Sequence, residues 1–494
     1  MSRSLNVLFV SSEVVPFAKT GGLADVAGAL PLVVKELGHE VRIAMPLYGS
    51  VDQRKFKLHD IARLHGQSIP IGSKAVDFNI KSSSTVDGKS KVQVYFLENE
   101  QYFGREGLYV DTTNRNKEYP DNDERFILFS RGTVETLKKL GWQPDIVHCN
   151  DWQTALIPAY LKTVYRSDRF FKNMKTVFTV HNLAYQGNFP SSSFQKSGLP
   201  ADIFNPQGAD YGGRFNFLKT GLTFADAITT VSEKYAEEIR TLDDYGHGMN
   251  GLLEKRKNDL FGILNGIDYT EWNPEVDSFI RVRYGQNSID QKQENKKALL
   301  ERMGLPGKER LPLLGMISRL ADQKGFDLLE QSADALMKMP VQLVILGTGE
   351  KKYHDLLENL RTKYPNQVGI KLGFSTELAH WIEAGADIFL MPSRYEPCGL
   401  NQIYSLKYGT VPVVRATGGL DDTIEDYDPA TGTGTGFKFV RYNTGDFLDA
   451  IRRAVNLYSN REAWLRLVRE GMAKDFSWVV SAKKYIQLYK KLSK

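Results

Sequence analysis

The chain has 494 residues, 41% of them hydrophobic and 25% charged, with a formal net charge of +5. At roughly 150 residues per domain this suffices for two large or three ordinary domains, with the composition of a globular protein and not of a disordered or fibrous one. No Lys/Arg run has the density of a nucleic-acid stripe, and no window of about 18 uncharged apolar residues offers a membrane span.

In chain order, residues 5–10 read as a first buried strand. Glu13 then breaks the apolar stretch and no small-residue cleavage site follows, so this is not read as a secretory leader. The two cysteines, Cys149 and Cys398, supply neither a disulfide framework nor zinc-ligand spacing, and the cytoplasm is the expected location. Thr20-Gly-Gly-Leu23-Ala-Asp25 leads into helical spacing over 24–37. Val/Ile/Leu/Phe runs at 41–46, 146–149, 176–180 and 227–231 read as buried parallel strands, and 125–140 as an amphipathic helix. Residues 74–97 alternate about Asp87-Gly88 as a β-hairpin, and 111–124 read as an exposed polar loop.

Asn265-Gly-Ile-Asp268, Trp272-Asn-Pro274 and a polar stretch at 286–297 then interrupt the pattern. It restarts with strands at 311–318, 342–346, 369–372, 388–392 and 411–414 and helices at 326–338 and 447–458. Such alternation predicts an α/β fold of doubly wound parallel sheets. The division falls near Asn265, giving domains 1–264 and 265–476. Residues 477–494 have helical spacing with Lys on one face, as a helix docked on the protein or one lying on a membrane surface.

One motif occurs twice. Thr20-Gly-Gly-Leu23 is echoed by Thr417-Gly-Gly-Leu420, each at a predicted loop-to-helix junction. A Gly pair serves either tight turn packing or close approach of an anion to free backbone N–H groups; the matched copies favour an anionic ligand. Neither copy is a dinucleotide fingerprint or a Walker loop, and Gly347-Thr-Gly349 reads as a structural turn. Arg319 and Lys324 follow the strand at 311–318, where open α/β sheets bind ligands, and suit a diphosphate. Glu396, in Pro392-Ser-Arg-Tyr-Glu-Pro-Cys-Gly399, either caps a helix or accepts hydrogen bonds from a polyhydroxylated ligand. His181, at a predicted strand tip before Asn182, is as readily structural as functional.

Lys19-Thr-Gly-Gly-Leu23, His181-Asn-Leu-Ala-Tyr-Gln-Gly187, the Arg319/Lys324 segment, Glu396-Pro-Cys-Gly399 and Thr417-Gly-Gly419 stand in the order seen in bacterial glycogen synthases and plant starch synthases. The chain resembles that family over nearly its whole length. The resemblance implies a GT-B fold, two Rossmann-like domains facing across a cleft, with the last helix crossing back to the first. It implies glucose transfer from ADP-glucose, a co-substrate, to the non-reducing end of an α-1,4-glucan such as glycogen, with retention and without cofactor or metal. It places Lys19, Gly22 and Asp25 at the donor phosphates, Arg319 and Lys324 on the leaving diphosphate, and Thr417, Gly418 and Gly419 at the distal phosphate. Glu396, Cys398 and Gly399 would hold the sugar, with His181 and Asn182 beside it. Asp151-Trp152 would line the same cleft and Phe374 would stack on adenine.

Many retaining GT-B enzymes carry a second Glu eight residues after the first. Here that position is Tyr404, with Gln402 nearby, a loss shared by bacterial-type glycogen synthases. With no evident carboxylate pair for double displacement, a front-face route is preferred. The alternatives are a GT-B enzyme using UDP-glucose and a non-catalytic glucan or nucleotide-sugar sensor.

Overall fold

In a computed structural model, which describes residues 3–87, 90–114 and 117–494, the chain divides into two compact units. One comprises Met1–Val231, Ala236–Ile263 and Trp478–Lys494, the other Ser232–Tyr235 and Leu264–Ser477. The short segment Ser232–Tyr235 groups with the second unit because Ser232 Oγ donates to Pro397 O (2.6 Å) and the Lys234 N–H to Asp422 Oδ2 (3.0 Å).

The first unit is built on a sheet ordered Leu260–Gly262, Ala227–Thr230, Lys175–Val180, Ile146–Asn150, Asn6–Val10, Glu40–Pro46, Ser90–Glu98, Lys74–Asp87 and His59–Asp60. Every pairing from Leu260–Gly262 to Ser90–Glu98 is parallel, with Val7 beside both Val41 and Ile146. These strands read as continuous apolar runs because both faces are covered. The first strand is central and the chain winds outward to either side of it. The order therefore reverses between Asn6–Val10 and Ile146–Asn150, the position at which open α/β sheets bind ligands.

Lys74–Asp87 and Ser90–Glu98 form the expected antiparallel hairpin, its Gly88 lying outside the described residues. The segment at 111–124 is less loop-like than its polarity suggests. Val110–Asp111 pairs with Lys117–Glu118, and the helix Asn122–Leu140 begins before the segment ends; Arg115 and Asn116 lie outside the described residues. The C-terminal helix Trp478–Leu492 buries Ala482, Tyr485, Ile486 and Tyr489, and the Tyr489 hydroxyl meets His148 Nδ1 at 2.6 Å. Among the described residues no helix is long and apolar enough to cross a membrane.

The second unit has a parallel sheet ordered Val368–Leu372, Gln342–Gly349, Leu313–Leu320, Ile388–Met391, Val411–Arg415 and Phe437–Phe439. One apolar layer joins it to Phe326–Leu336, Lys351–Lys363 and Thr444–Tyr458 through Leu329, Leu357, Phe447 and Ile451. The other layer brings in Lys292–Arg302 and Thr376–Gly385 through Leu299, Leu300, Leu378 and Ile382. Its order reverses between Leu313–Leu320 and Ile388–Met391.

The polar stretch at 286–297 is not a linker. Its residues enter a 3-10 turn, Gln286–Gln291, and the helix Lys292–Arg302. Two of its lysines are buried: Lys296 Nζ meets Asp387 Oδ2 at 2.6 Å, and Lys292 Nζ donates to the carbonyls of Glu383 and Ala384 and to Thr410 Oγ1. Long cationic stems with satisfied heads pack like apolar residues, which a polarity pattern cannot show. Gly347 and Gly349 are structural, since a Cβ on either would lie 2.3 Å from a carbonyl oxygen of the neighbouring strand.

Candidate active site

In the first unit, three strand ends meet where the sheet order reverses. After Asn6–Val10 the chain turns through Ser11–Gly21 into the helix Gly22–Glu36. Glu13, buried, organises this loop: its carboxylate accepts from the Thr20 N–H (2.5 Å), Thr20 Oγ1 (2.6 Å), the Gly21 N–H (3.2 Å) and the Tyr109 hydroxyl (2.7 Å). Sequence reasoning passed over Glu13, whose signal is a lone carboxylate just beyond a buried strand. Lys19 Nζ pairs with Asp25 Oδ1 at 2.7 Å, both side chains more than a third exposed. A Cβ added at Gly21 or Gly22 would meet nothing within 4 Å, and Gly21 is extended at φ −152°. Neither packing nor backbone conformation demands these glycines, so the open space in front of them is what a side chain would fill.

Asp151 follows Ile146–Asn150 at φ +56°, a strained conformation for a non-glycine residue. Its N–H donates to Thr179 O (2.9 Å) and its Oδ1 accepts from the His181 N–H (2.8 Å). Burial pushes its carboxyl up to about 7, with Glu13 adding to the rise and the amides of His181 and Asn182 opposing it. Burial also lowers His181 to about 3, so its imidazole is neutral at physiological pH. Asn182 Oδ1 accepts from the Ala184 N–H and shapes the following turn. Trp152 is partly buried. It packs among Phe126, Phe189 and Phe217, and a Cβ at Gly187 would strike it at 2.4 Å.

In the second unit, Arg319 lies within the last residues of the strand Leu313–Leu320, not after it as the sequence suggests, and the Pro392–Gly399 segment follows Ile388–Met391, the two strands that flank the order reversal. Ser318, Arg319, Lys324, Ser393, Glu396, Gly399 and Asn401 help line a cavity of about 210 Å³. Lys324 Nζ contacts Glu396 Oε2 at 2.5 Å, and Ser393 Oγ donates to the same oxygen at 3.1 Å. The Arg319 guanidinium is exposed and has no ion-pair partner among the described residues. Glu396 is not a helix cap: the next helix, Asn401–Tyr408, starts after Leu400 without a side-chain cap.

The second Gly pair differs from the first. A Cβ at Gly418 (φ +45°) would lie 2.0 Å from Glu396 O, and one at Gly419 1.9 Å from Cys398 O. The Gly419 N–H donates to Glu396 O and Pro397 O and so fastens two loops. Gln402 adds to this, its Nε2 donating to Cys398 O, Gly399 O and Thr423 Oγ1. Thr417 is buried at the start of the same turn, and burial raises the Cys398 thiol to about 12. Tyr404 stacks on Trp272 at 3.9 Å, so the position of the missing second Glu belongs to packing. Phe374 is 90% exposed beyond Val368–Leu372, a bare ring at a strand's carboxyl end. Among the described residues no cluster of His, Cys, Asp and Glu could hold a metal ion.

The family model for the starch synthase catalytic domain matches residues 6–255, and that for glycosyl transferases group 1 matches 301–470. A glycogen synthase of Koribacter versatilis is 48% identical over 99% of this chain and 98% of its own, and one of Thermotoga maritima 45% identical over 99% of each. The solved catalytic domain of starch synthase IV from Arabidopsis thaliana, bound to ADP and acarbose, superposes with a TM-score of 0.88 at 32% identity, covering 99% of this chain and 100% of that one. A sucrose-phosphate synthase from Thermosynechococcus elongatus, 16% identical with a TM-score of 0.58, shares the fold. Fold and matches define a glycosyltransferase of the GT-B type, built on two Rossmann-like units. Within that class the chain belongs to the glycogen synthase and starch synthase family.

Proposed function

We propose that the chain transfers glucose from ADP-glucose to the non-reducing end of an α-1,4-glucan with retention, elongating glycogen in the cytoplasm without a resident cofactor or metal. The observation that carries the reading is the unpaired Arg319 beside the Lys324–Glu396 pair on one cavity at the sheet's reversal. Arg319 offers a planar fork to the diphosphate and Lys324 a second cation, which together stabilise charge as the leaving group departs. Lys19, steadied by Asp25, would contact the donor phosphates, and the open space at Gly22 suits their close approach. Glu396 would hold sugar hydroxyls and face the positive charge growing on the anomeric carbon. Neutral His181, with Asp151 and Asn182, would lie beside that sugar. Exposed Phe374 suits stacking on adenine, in keeping with the ADP bound by the Arabidopsis neighbour.

The glycosidic bond to phosphate breaks as the bond to the glucan hydroxyl forms, and the acceptor proton passes to the departing phosphate in a front-face step. The test is incubation with ADP-glucose and a short maltooligosaccharide, with product sizing and a UDP-glucose arm. Stepwise lengthening with ADP-glucose is expected. Equal or better use of UDP-glucose, or binding without turnover, would overturn the reading.

A further inference from the structure

Asn150 closes the strand Ile146–Asn150 and is fully buried. Its Nδ2 donates to Val10 O at 3.0 Å and reaches His148 O at 3.5 Å, so its Oδ1 points the other way, where it meets His181 Nε2 at 2.9 Å. The amide cannot be turned over without setting Oδ1 against two carbonyl oxygens. An acceptor at 2.9 Å requires the proton on Nε2, and a neutral imidazole then carries its lone pair on Nδ1. Nδ1 has no hydrogen-bond partner among the described residues. The His181 N–H is itself held by Asp151 Oδ1, so the backbone under the ring is pinned as well.

We infer that Asn150 is a positioning residue that holds His181 in the Nε2–H tautomer, so that Nδ1 accepts a hydrogen bond from a hydroxyl of the transferred sugar. This rests on the proposal above that His181 lies beside that sugar. It also narrows what His181 can bind, because a bare lone pair repels phosphate oxygens and suits a hydroxyl donor. The titratable groups packed about the ring are His148 from the adjoining strand, Asp151 just after that strand and, beyond Asp151, Glu13 from the loop after the first strand. Burial holds His148 neutral, as it does His181, so neither ring brings a positive charge to the other near neutrality.

The experiment uses the full chain with 15N-labelled histidine, of which there are 8, and identifies the His181 signals by their loss in His181→Gln. At neutral pH the wild-type ring should show a protonated Nε2 and a lone-pair Nδ1. In Asn150→Ala that tautomer should no longer dominate, and kcat/KM for ADP-glucose should fall about tenfold. Added to His181→Gln, the same substitution should cost less than twofold more, since its effect runs through the ring; a merely structural role would add in full. A wild-type Nδ1–H ring overturns the inference whether or not the variant folds. So does a tautomer that survives Asn150→Ala, or one that changes while kcat/KM does not. If the wild-type chain does not elongate glucan with ADP-glucose, the proposed function fails instead, and the tautomer result stands apart from it.

Discussion

Breaking the Lys324–Glu396 pair should separate what these residues do for the fold from what they do for the reaction. The side chains are 18% and 9% exposed and 2.5 Å apart, with Ser393 Oγ also on the shared oxygen. A hydrogen bond between charged groups contributes about 1.5–3 kcal/mol, and removing one member of a buried pair costs about 3–5 kcal/mol because the other is left uncompensated. Lys324 retains some water through the cavity, so Glu396→Gln should cost less than that upper range, about 2–3 kcal/mol. A unit of this size loses roughly 2–4 °C per kcal/mol, so its melting transition should fall by roughly 5–10 °C. Lys324→Gln leaves the more buried partner charged and should cost at least as much. The double variant should cost less than the sum of the two, with a coupling of about 1.5–3 kcal/mol.

Turnover is read on the same preparations at a temperature where all are folded. If Glu396 faces the developing cation as proposed, Glu396→Gln removes that negative charge, and kcat should fall about a hundredfold, or about 2.7 kcal/mol of barrier. Stability effects that add within about 0.5 kcal/mol would refute the pair as an energetic unit. A folded Glu396→Gln enzyme with near-normal kcat would refute the chemical role.

Arg319→Ala should leave the melting temperature nearly unchanged, because the guanidinium is exposed and has no ion-pair partner among the described residues, yet lower kcat at least about tenfold in the elongation assay. Gly418→Ala meets Glu396 O at 2.0 Å at a positive φ and should destabilise by more than about 1 kcal/mol, whereas Gly22→Ala, with open space around it, should keep stability and lose activity. Urea unfolding and turnover on both variants decide this, and equal destabilisation would contradict the asymmetry of the two loops. The acid side of the stability curve should respond to Asp151→Asn. Asp151 is raised to about 7 from 3.8, so the native state binds the extra proton and this group's stabilisation is lost as pH rises between them. His181, lowered to about 3 from 6.5, has the opposite sign and stabilises increasingly as pH rises through that window. Removing Asp151 should therefore steepen the gain in stability between about pH 4 and 6.5, as read by unfolding at a series of pH values.

The architecture was legible because both units are doubly wound. Strands covered on both faces must be apolar throughout, so runs such as those ending at Val10 and Val180 stand out without knowledge of their partners. Strand ends were legible for the same reason: where an apolar run stops, the chain leaves the sheet, and Glu396 and His181 lie just past such points, whereas at Arg319 the pairing runs on to Leu320. The buried lysines of 292–302 were not legible, since a head satisfied by carbonyls of distant residues has the same local pattern as a solvated one.

The Gly pairs show where likeness of sequence stops being likeness of role. Both copies begin a helix after a parallel strand, but their surroundings differ. At Gly418 and Gly419 the neighbour is the chain itself, the carbonyls of Glu396 and Cys398, and the pair sets the loop that carries the Glu396 carboxylate. A Cβ at Gly21 or Gly22 would meet nothing within 4 Å, while Glu13 holds the turn from behind through the Gly21 N–H. The first copy thus faces open space and the second is closed by packing, a distinction that lies in the distances and not in the motif.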